Sequence, residues 1–420
     1  SINAGTSPIG HYRDNMSPMR YAIRSKILPL IRKETPILAR IQSSMRSNYL
    51  DWFFSMLANF GTHTFYLLFL PILFWFGRDI EARGLVYVLG FGVYATGFAK
   101  DYLALPRPMS PPLHRLSMSP DVNLEYGCPS THSANSISVA LWVCSVIPHS
   151  PSNKYAYVAA AIYTFAQSFG RIYCGMHGFV DVFFGLFIGY SVWALVYYAL
   201  PLWDQFLANP SYLVPLACVV LIALLLYACP DPVDNCPCFD DSVAFLGVIL
   251  GLTIIKGTIP FSTAGLSSFN IALFSLLRVL TGVTAVVAWR IVSKPLLFRY
   301  LPPIYRFVQG RFRALNLPRN YFLPASAYKI PANADDPIVV RPTKRIPEMI
   351  QNIRHRGRGA SIGPQSQIDA YEAIANQHEA RDMSPEELKV LSNVPERPLH
   401  YDVEVIARTL VYAGISLVSV

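Results

Sequence analysis

Apolar residues run along this chain in long blocks rather than alternating with polar ones. The blocks lie near residues 57–76, 84–103, 134–148, 155–171, 180–202, 212–229, 243–262 and 270–291, and a last apolar stretch, "VIARTLVYAGISLVSV", closes the sequence. A helix that crosses a bilayer needs about 20 consecutive, mostly apolar residues, and several blocks reach that length. The pattern predicts an all-α fold, a multipass transmembrane helical bundle of about 8–9 spans. Trp75 stands at the edge of the first block, where interfacial aromatics belong.

The polar stretches divide the chain. Residues 1–50 are polar and basic, with a helical period from Tyr21 to Met45 that suits a helix on the membrane surface. Residues 51–291 carry the spans. Residues 292–400 return to a soluble composition, expected as a polar, partly disordered loop with a short helix around "PEELKVLSN". Residues 401–420 supply a candidate last span. The first residues lack the clean apolar core of a cleavable signal peptide.

Composition sharpens this reading. The chain is 53% hydrophobic and 15% charged, against about 25% charged for a soluble domain. The net charge of +9 is uneven, with eight Lys or Arg against two acids between Arg13 and Arg46. Beside membrane spans, such charge holds a segment against anionic lipid on the cytoplasmic side, so the bilayer and no nucleic acid is the expected partner. Cys229, Cys236 and Cys238 in "CPDPVDNCPCFDD" lack the second ligand pair of a zinc site, which leaves a loop disulfide or free thiols.

Ionisable residues at the ends of membrane helices are expensive and point to function. Three groups stand out: Lys100 and Arg107 in "KDYLALPRP", Ser130 and His132 in "PSTH", and Arg171, His177 and Asp181 in "GRIYCGMHGFVD". Taken singly, a Lys or Arg beside a span usually reaches to the headgroups, and a His at a helix end is usually an interfacial hydrogen-bonder. Topology makes the set more than its parts. One helix crosses after His132 and the next crosses back, so Arg171 and His177 emerge on the face that carries His132.

The chemistry of that set suits a phosphate. Lys100, Arg107 and Arg171 are three cations, two of them planar forks for phosphate oxygens. Pro129, Ser130 and Thr131 stand where a helix begins, and the free N–H groups of a helix start attract anions. His177 and Asp181, four residues apart, would share one helix face. A carboxylate on one ring nitrogen would then leave the other free to attack. His132 has no carboxylate near it in sequence and suits a general acid and later a base.

The pattern K-x6-R-P, then P-S-x-H, then R-x5-H-x3-D resembles the three-part signature of the type-2 phosphatidic acid phosphatase superfamily, which includes lipid phosphate phosphatases, glucose-6-phosphatase and haloperoxidases. The signature covers residues 100–181, and the resemblance extends over about 50–290. Two positions depart from it: Thr131 replaces the usual Gly of the second motif, and Gly170 replaces the usual Ser before Arg171. The wording of "FGTHTFYLLFLP", "EYGCPSTHSAN" and "GMHGFVDVFFG" is similar to the branch of sphingoid long-chain base 1-phosphate phosphatases, fungal type.

The resemblance implies hydrolysis of a lipid phosphate monoester through a phosphohistidine. His177 would be the nucleophile, oriented by Asp181, and His132 the general acid. Lys100, Arg107, Arg171, Ser130 and Thr131 would hold the phosphoryl group. No metal and no cofactor are implied, since the cations fill the place often taken by Mg²⁺. The expected substrate is a sphingoid base 1-phosphate, in sphingolipid metabolism at the endoplasmic reticulum membrane. A broad lipid phosphate or phosphatidate phosphatase is the alternative, and a lipid-phosphate binder or transporter a third. The resemblance implies a site facing the lumen. The basic segments on the same face, by the positive-inside rule, imply the cytoplasm.

Overall fold

The computed structural model describes residues 3–61, 63–117, 124–147, 153–234, 236–254, 268–314, 401 and 403–420. Among them there is no strand, and twelve helices follow in order. They are α1 (Ile9–Asn15), α2 (Pro18–Met45), α3 (Asn48–Asn59), α4 (His63–Trp75), α5 (Asp79–Leu103) and α6 (Thr131–Val146). After these come α7 (Lys154–Tyr173), α8 (Phe179–Ala208), α9 (Leu213–Ala228), α10 (Cys238–Ile254), α11 (Ser268–Ala314) and α12 (Val403–Ser419). Among the described residues three stretches are long and apolar enough to cross a bilayer, Asp79–Leu103, Phe179–Ala208 and Leu273–Leu301, with Leu213–Ala228 a shorter apolar helix.

The chain divides into two units, one of Ser1–Ile291 with Arg408–Val420 and one of Val292–Ala407. In the second, Leu301, Val403 and Ala407 form a small buried cluster. The expected polar loop lies outside the described residues from 315 to 400, as does the end of the block at 243–262.

The centre of the first unit is α5, which buries residues around its whole circumference. Its glycines let neighbours approach closely. A Cβ on Gly84 would strike the Trp142 ring of α6 at 1.7 Å, and one on Gly97 would meet Ser242 of α10 at 2.5 Å. The same device joins α8 to α6. Gly185 and Gly189, one turn apart, face the backbone carbonyls of Ser130 and Ala134, where a Cβ would come within 2.4 and 2.1 Å. Small residues four apart are how membrane helices gain close van der Waals contact, because lipid supplies no hydrophobic drive between them. Gly247 and Gly251 of α10 seat α12 in the same way, against Thr409 and Ala413.

Away from this core the outer faces of α8 and α9 are apolar. Phe183, Phe187, Leu195 and Tyr198 of α8 and Leu216 and Leu224 of α9 are exposed. Exposed apolar faces of this extent belong in lipid rather than water.

The expected first span at 57–76 is broken in two. α3 ends at Asn59, where Phe60 and Gly61 donate back to Leu57 O and Ala58 O, and α4 starts at His63. The helix expected from Tyr21 to Met45 is present as α2, which starts three residues earlier with a cap. The Ser17 hydroxyl accepts from Arg20 N–H at the start of α2, whose first residue is Pro18, the position where a missing N–H is harmless. α2 is tied to the end of α5, where Arg20 donates to the carbonyls of Asp101 and Tyr102 at 2.7 and 3.0 Å. α1 is fastened separately: Asp234 accepts from Gly5 N–H at 2.8 Å and from the Tyr12 hydroxyl at 2.7 Å.

Candidate active site

Four helix ends meet at one place. Lys100 is in the last turn of α5, Ser130 caps α6, Arg171 is in the last turn of α7, and Asp181 is in the first turn of α8. Arg107 comes from the loop after α5, and His177 from the short link between α7 and α8. Lys100, Arg107, Ser130, Arg171, His177 and Asp181 are all buried, and His132 and Thr131 are half-buried.

Local sequence explains how each is held. Gly127 lies against the backbone of Arg107, so that a Cβ there would come within 2.7 Å of the Arg107 Cα. Gly127 N–H also donates to Leu105 O at 2.8 Å, which closes the loop that carries Arg107. Pro129 precedes the cap rather than entering the helix. The Ser130 hydroxyl accepts from Ser133 N–H at 3.3 Å and from the Ser133 hydroxyl at 3.0 Å, and Thr131 and His132 are the first two helical residues. The Ser130 N–H donates to Asp181 O at 2.9 Å and so ties the second motif to the third.

After α7 the chain turns at Gly175, whose left-handed φ of +64° brings Met176 and His177 N–H back to Arg171 O. At Gly170, where the family usually has Ser, a Cβ would meet the Phe54 ring at 2.9 Å. The glycine makes room for an aromatic of α3.

The charges interlock. Arg107 Nη1 donates to Met176 O at 3.0 Å and lies 3.2 Å from His177 Nε2. Arg107 Nη2 pairs with Glu125 Oε2 at 2.6 Å, and Lys100 Nζ pairs with Glu125 Oε1. Burial by itself would raise the Glu125 carboxyl, but Lys100 and then Arg107 outweigh it and hold it well below the usual carboxylate range. The buried Arg171 Nε has no hydrogen-bond partner among the described residues. A buried guanidinium edge left unmatched is costly, and an anion would satisfy it.

His177 is set by these neighbours. Arg is always a donor, so Nε2 accepts and the ring proton belongs on Nδ1. Burial, and then the charges of Arg107, Lys100 and Arg171, push His177 well below the ordinary histidine range. The ring is therefore neutral, with its Nε2 lone pair turned to the cations. The expected pairing with Asp181 is looser than the spacing suggested. His177 precedes α8 instead of sharing its face, and Nδ1 lies 3.7 Å from Asp181 Oδ2, beyond hydrogen-bond range. The carboxylate instead accepts the N–H of Gly178 at 2.8 Å, closing the first turn of α8.

Four further residues complete the site, and the motif spacing did not single them out. Glu125 stands five residues before Ser130, and its acid beside a basic motif was the available signal. Gln42 of α2 donates to His114 O at 2.7 Å and Tyr173 O at 2.8 Å and accepts from His114 N–H at 2.8 Å. Glu34 of α2 accepts from Val180 N–H at 3.0 Å. Gly61 faces the His132 ring, where a Cβ would come within 2.6 Å of Cδ2. His132 bears electrostatically on both Glu125 and His177.

An apolar groove of about 610 Å³ opens beside this cluster between α6, α7 and α8. Ile172, Phe179 and Val182 line the end next to the charges, and Leu141, Cys144 and Ala161 line the rest. Away from the site, Cys236 and Cys238 form a disulfide beside Asp101, and Cys229, outside that disulfide, donates to Leu225 O at 3.5 Å.

Comparison with known proteins agrees with the motif. The PAP2 superfamily pattern matches residues 81–204. A dihydrosphingosine 1-phosphate phosphatase of Schizosaccharomyces pombe is 37% identical over 300 residues, 69% of this chain and 72% of its own. One of Saccharomyces cerevisiae is 32% identical over 323 residues, 73% and 78% of the two chains. Human sphingosine-1-phosphate phosphatase 2 is 30% identical over 229 residues, 53% and 56% of the two chains. No solved structure shows significant similarity to the chain.

Proposed function

Because the chain belongs to the PAP2 superfamily, we propose that it hydrolyses the phosphate monoester of sphingoid base 1-phosphates with His177 as the nucleophile. One observation carries the reading: a buried, neutral imidazole whose Nε2 is 3.2 Å from an arginine, beside a second buried arginine with an unmatched Nε. In the substrate complex the phosphate oxygens take the donors of Arg107, Arg171 and Lys100, with the Ser130 hydroxyl and the Thr131 N–H at the start of α6 assisting. This frees His177 Nε2 to face phosphorus.

Nε2 then forms a bond to phosphorus as the ester P–O bond breaks, and His132 gives its proton to the leaving alkoxide. Charge moves onto the phosphoryl oxygens, where fixed cations stabilise it without reorganisation. The phosphorylated ring is positive, and Asp181 closes on its Nδ1–H. His132, now neutral, takes a proton from water. The water oxygen attacks phosphorus, the P–N bond breaks, and inorganic phosphate and neutral His177 are restored. The three cations supply the charge neutralisation, and no metal is assigned a step.

The alkyl chain occupies the groove between α6, α7 and α8, whose volume of about 610 Å³ suits a small-molecule site. The protein works as a multipass protein of the endoplasmic reticulum membrane, with the site at the lumenal interface. The deciding assay is phosphate release from dihydrosphingosine 1-phosphate by membranes carrying the chain, in EDTA, with phosphatidate as competitor. Release that persists in EDTA, vanishes in His177→Ala and barely responds to phosphatidate is expected. Strong suppression by phosphatidate would identify a broad lipid phosphate phosphatase. No release from folded protein on either lipid would overturn the enzyme reading.

A further inference from the structure

Glu125 is a carboxylate in a place that a phosphate site should exclude. It bridges Lys100 and Arg107, and Arg107 lies 3.2 Å from the attacking nitrogen. A dianionic phosphate that reaches those cations must come within a few ångströms of Glu125, and like charges in a shielded pocket repel strongly. A site built for phosphate alone would gain by losing this acid. Its exposure is also unlike that of its partners. The Lys100 and Arg107 side chains are 2% and 4% exposed, whereas Glu125 is 30% exposed. The carboxylate is thus the outer lip of the cation cluster, and it meets whatever adjoins the phosphate in the ligand.

Resting on the sphingoid reading above, we propose that Glu125 determines specificity by pairing with the ammonium group of the sphingoid base. That ammonium sits on the carbon next to the one that bears the phosphate. A ligand whose phosphate replaces the carboxylate on Arg107 and Lys100 brings its own cation to the displaced Glu125. The exchange leaves every charge paired, which a buried or half-buried charge requires. Phosphatidate and simple alkyl phosphates have no cation at that carbon, so they leave Glu125 unpaired beside their own dianion. Lys100 and Arg107 keep the carboxyl ionised, so it does not act as the proton donor to the leaving oxygen. That work falls to His132.

The test compares dihydrosphingosine 1-phosphate with octadecyl phosphate, which lacks the ammonium, in full-chain membranes of wild type, Glu125→Gln and Glu125→Asp. The readout is the ratio of the two kcat/KM values on one preparation, so the fraction folded cancels. Wild type should favour the amine substrate at least tenfold. Glu125→Gln should lose that preference, with octadecyl phosphate turning over faster because it no longer meets a like charge. Glu125→Asp should keep most of the preference. An unchanged ratio in Glu125→Gln, or a wild type with no preference, overturns the inference while leaving the phosphatase reading intact. A wild type inert on both lipids removes that reading, and this inference with it.

Discussion

His177 owes its state to its surroundings more than to Asp181, which sits 3.7 Å away. Because its folded pKa is pushed well down, an unfolded chain binds a proton at this residue below about pH 6.5 that the folded chain does not. Unfolding takes up that proton, so acid favours it. The thermal midpoint of wild type should therefore fall relative to that of His177→Gln as pH drops from about 7.5 to about 5.5. Parallel curves would show a ring that is already charged in the folded chain. His132 depends on a different neighbour, since Gly61 leaves space for its ring. Gly61→Ala should displace the proposed general acid and lower kcat by roughly tenfold to a hundredfold, with KM little changed. A phenolic leaving group, which departs without a proton, should recover most of that loss. Equal losses on alkyl and phenolic phosphates would mean that Gly61 serves packing alone.

At the scale of elements, α2 is a brace across the ends of α5, α7 and α8 that carry candidate-site residues. Gln42 holds the loop before α6 and the end of α7 together through three hydrogen bonds. Gln42→Ala would strand buried backbone groups of His114 and Tyr173, and should destabilise the folded protein by roughly 1–3 kcal/mol. Detergent-solubilised protein should show this as a lower thermal midpoint, with a loss of activity that Gln42→Glu only partly restores, because the acid returns acceptors but no donors. An unaltered midpoint would remove α2 from the site's support. The groove between α6, α7 and α8 makes a separate prediction. Ala161 lines it, and Ala161→Trp should raise KM for an eighteen-carbon substrate about tenfold while sparing an eight-carbon one. Equal effects on both would place the alkyl chain elsewhere.

For the whole molecule, the proposed lumenal placement of the site makes a prediction. The glycines of α8 and α10 and the apolar outer faces of α8 and α9 suit a bundle in lipid. The ends of α5 to α8 that carry the candidate site then share one interface. An acceptor site for N-glycosylation inserted at Ser110, in the loop after Arg107, should be modified, and one at Ser361 should not. Modification at neither position would put the catalytic interface in the cytoplasm, where the basic Arg13–Arg46 stretch also points.

The sequence alone determined the class of fold and named most of the residues that the structure gathers in the candidate site. Blocks of apolar residues mark helices for lipid because each helix satisfies its own backbone, and that requirement is local. Lys100, Arg107, Ser130, His132, Arg171, His177 and Asp181 were legible because their spacing within each motif survives without knowledge of the fold. The break at Phe60 and Gly61 was hidden inside an apolar block, since its reason is a histidine ring 71 residues later. Only the tertiary structure decided that α2 braces the site, that Glu125 sits between Lys100 and Arg107, and that Asp181 closes a helix turn before it reaches His177. Those contacts join segments far apart in the chain. Their free energies depend on burial and distance, and neither is written in neighbouring residues.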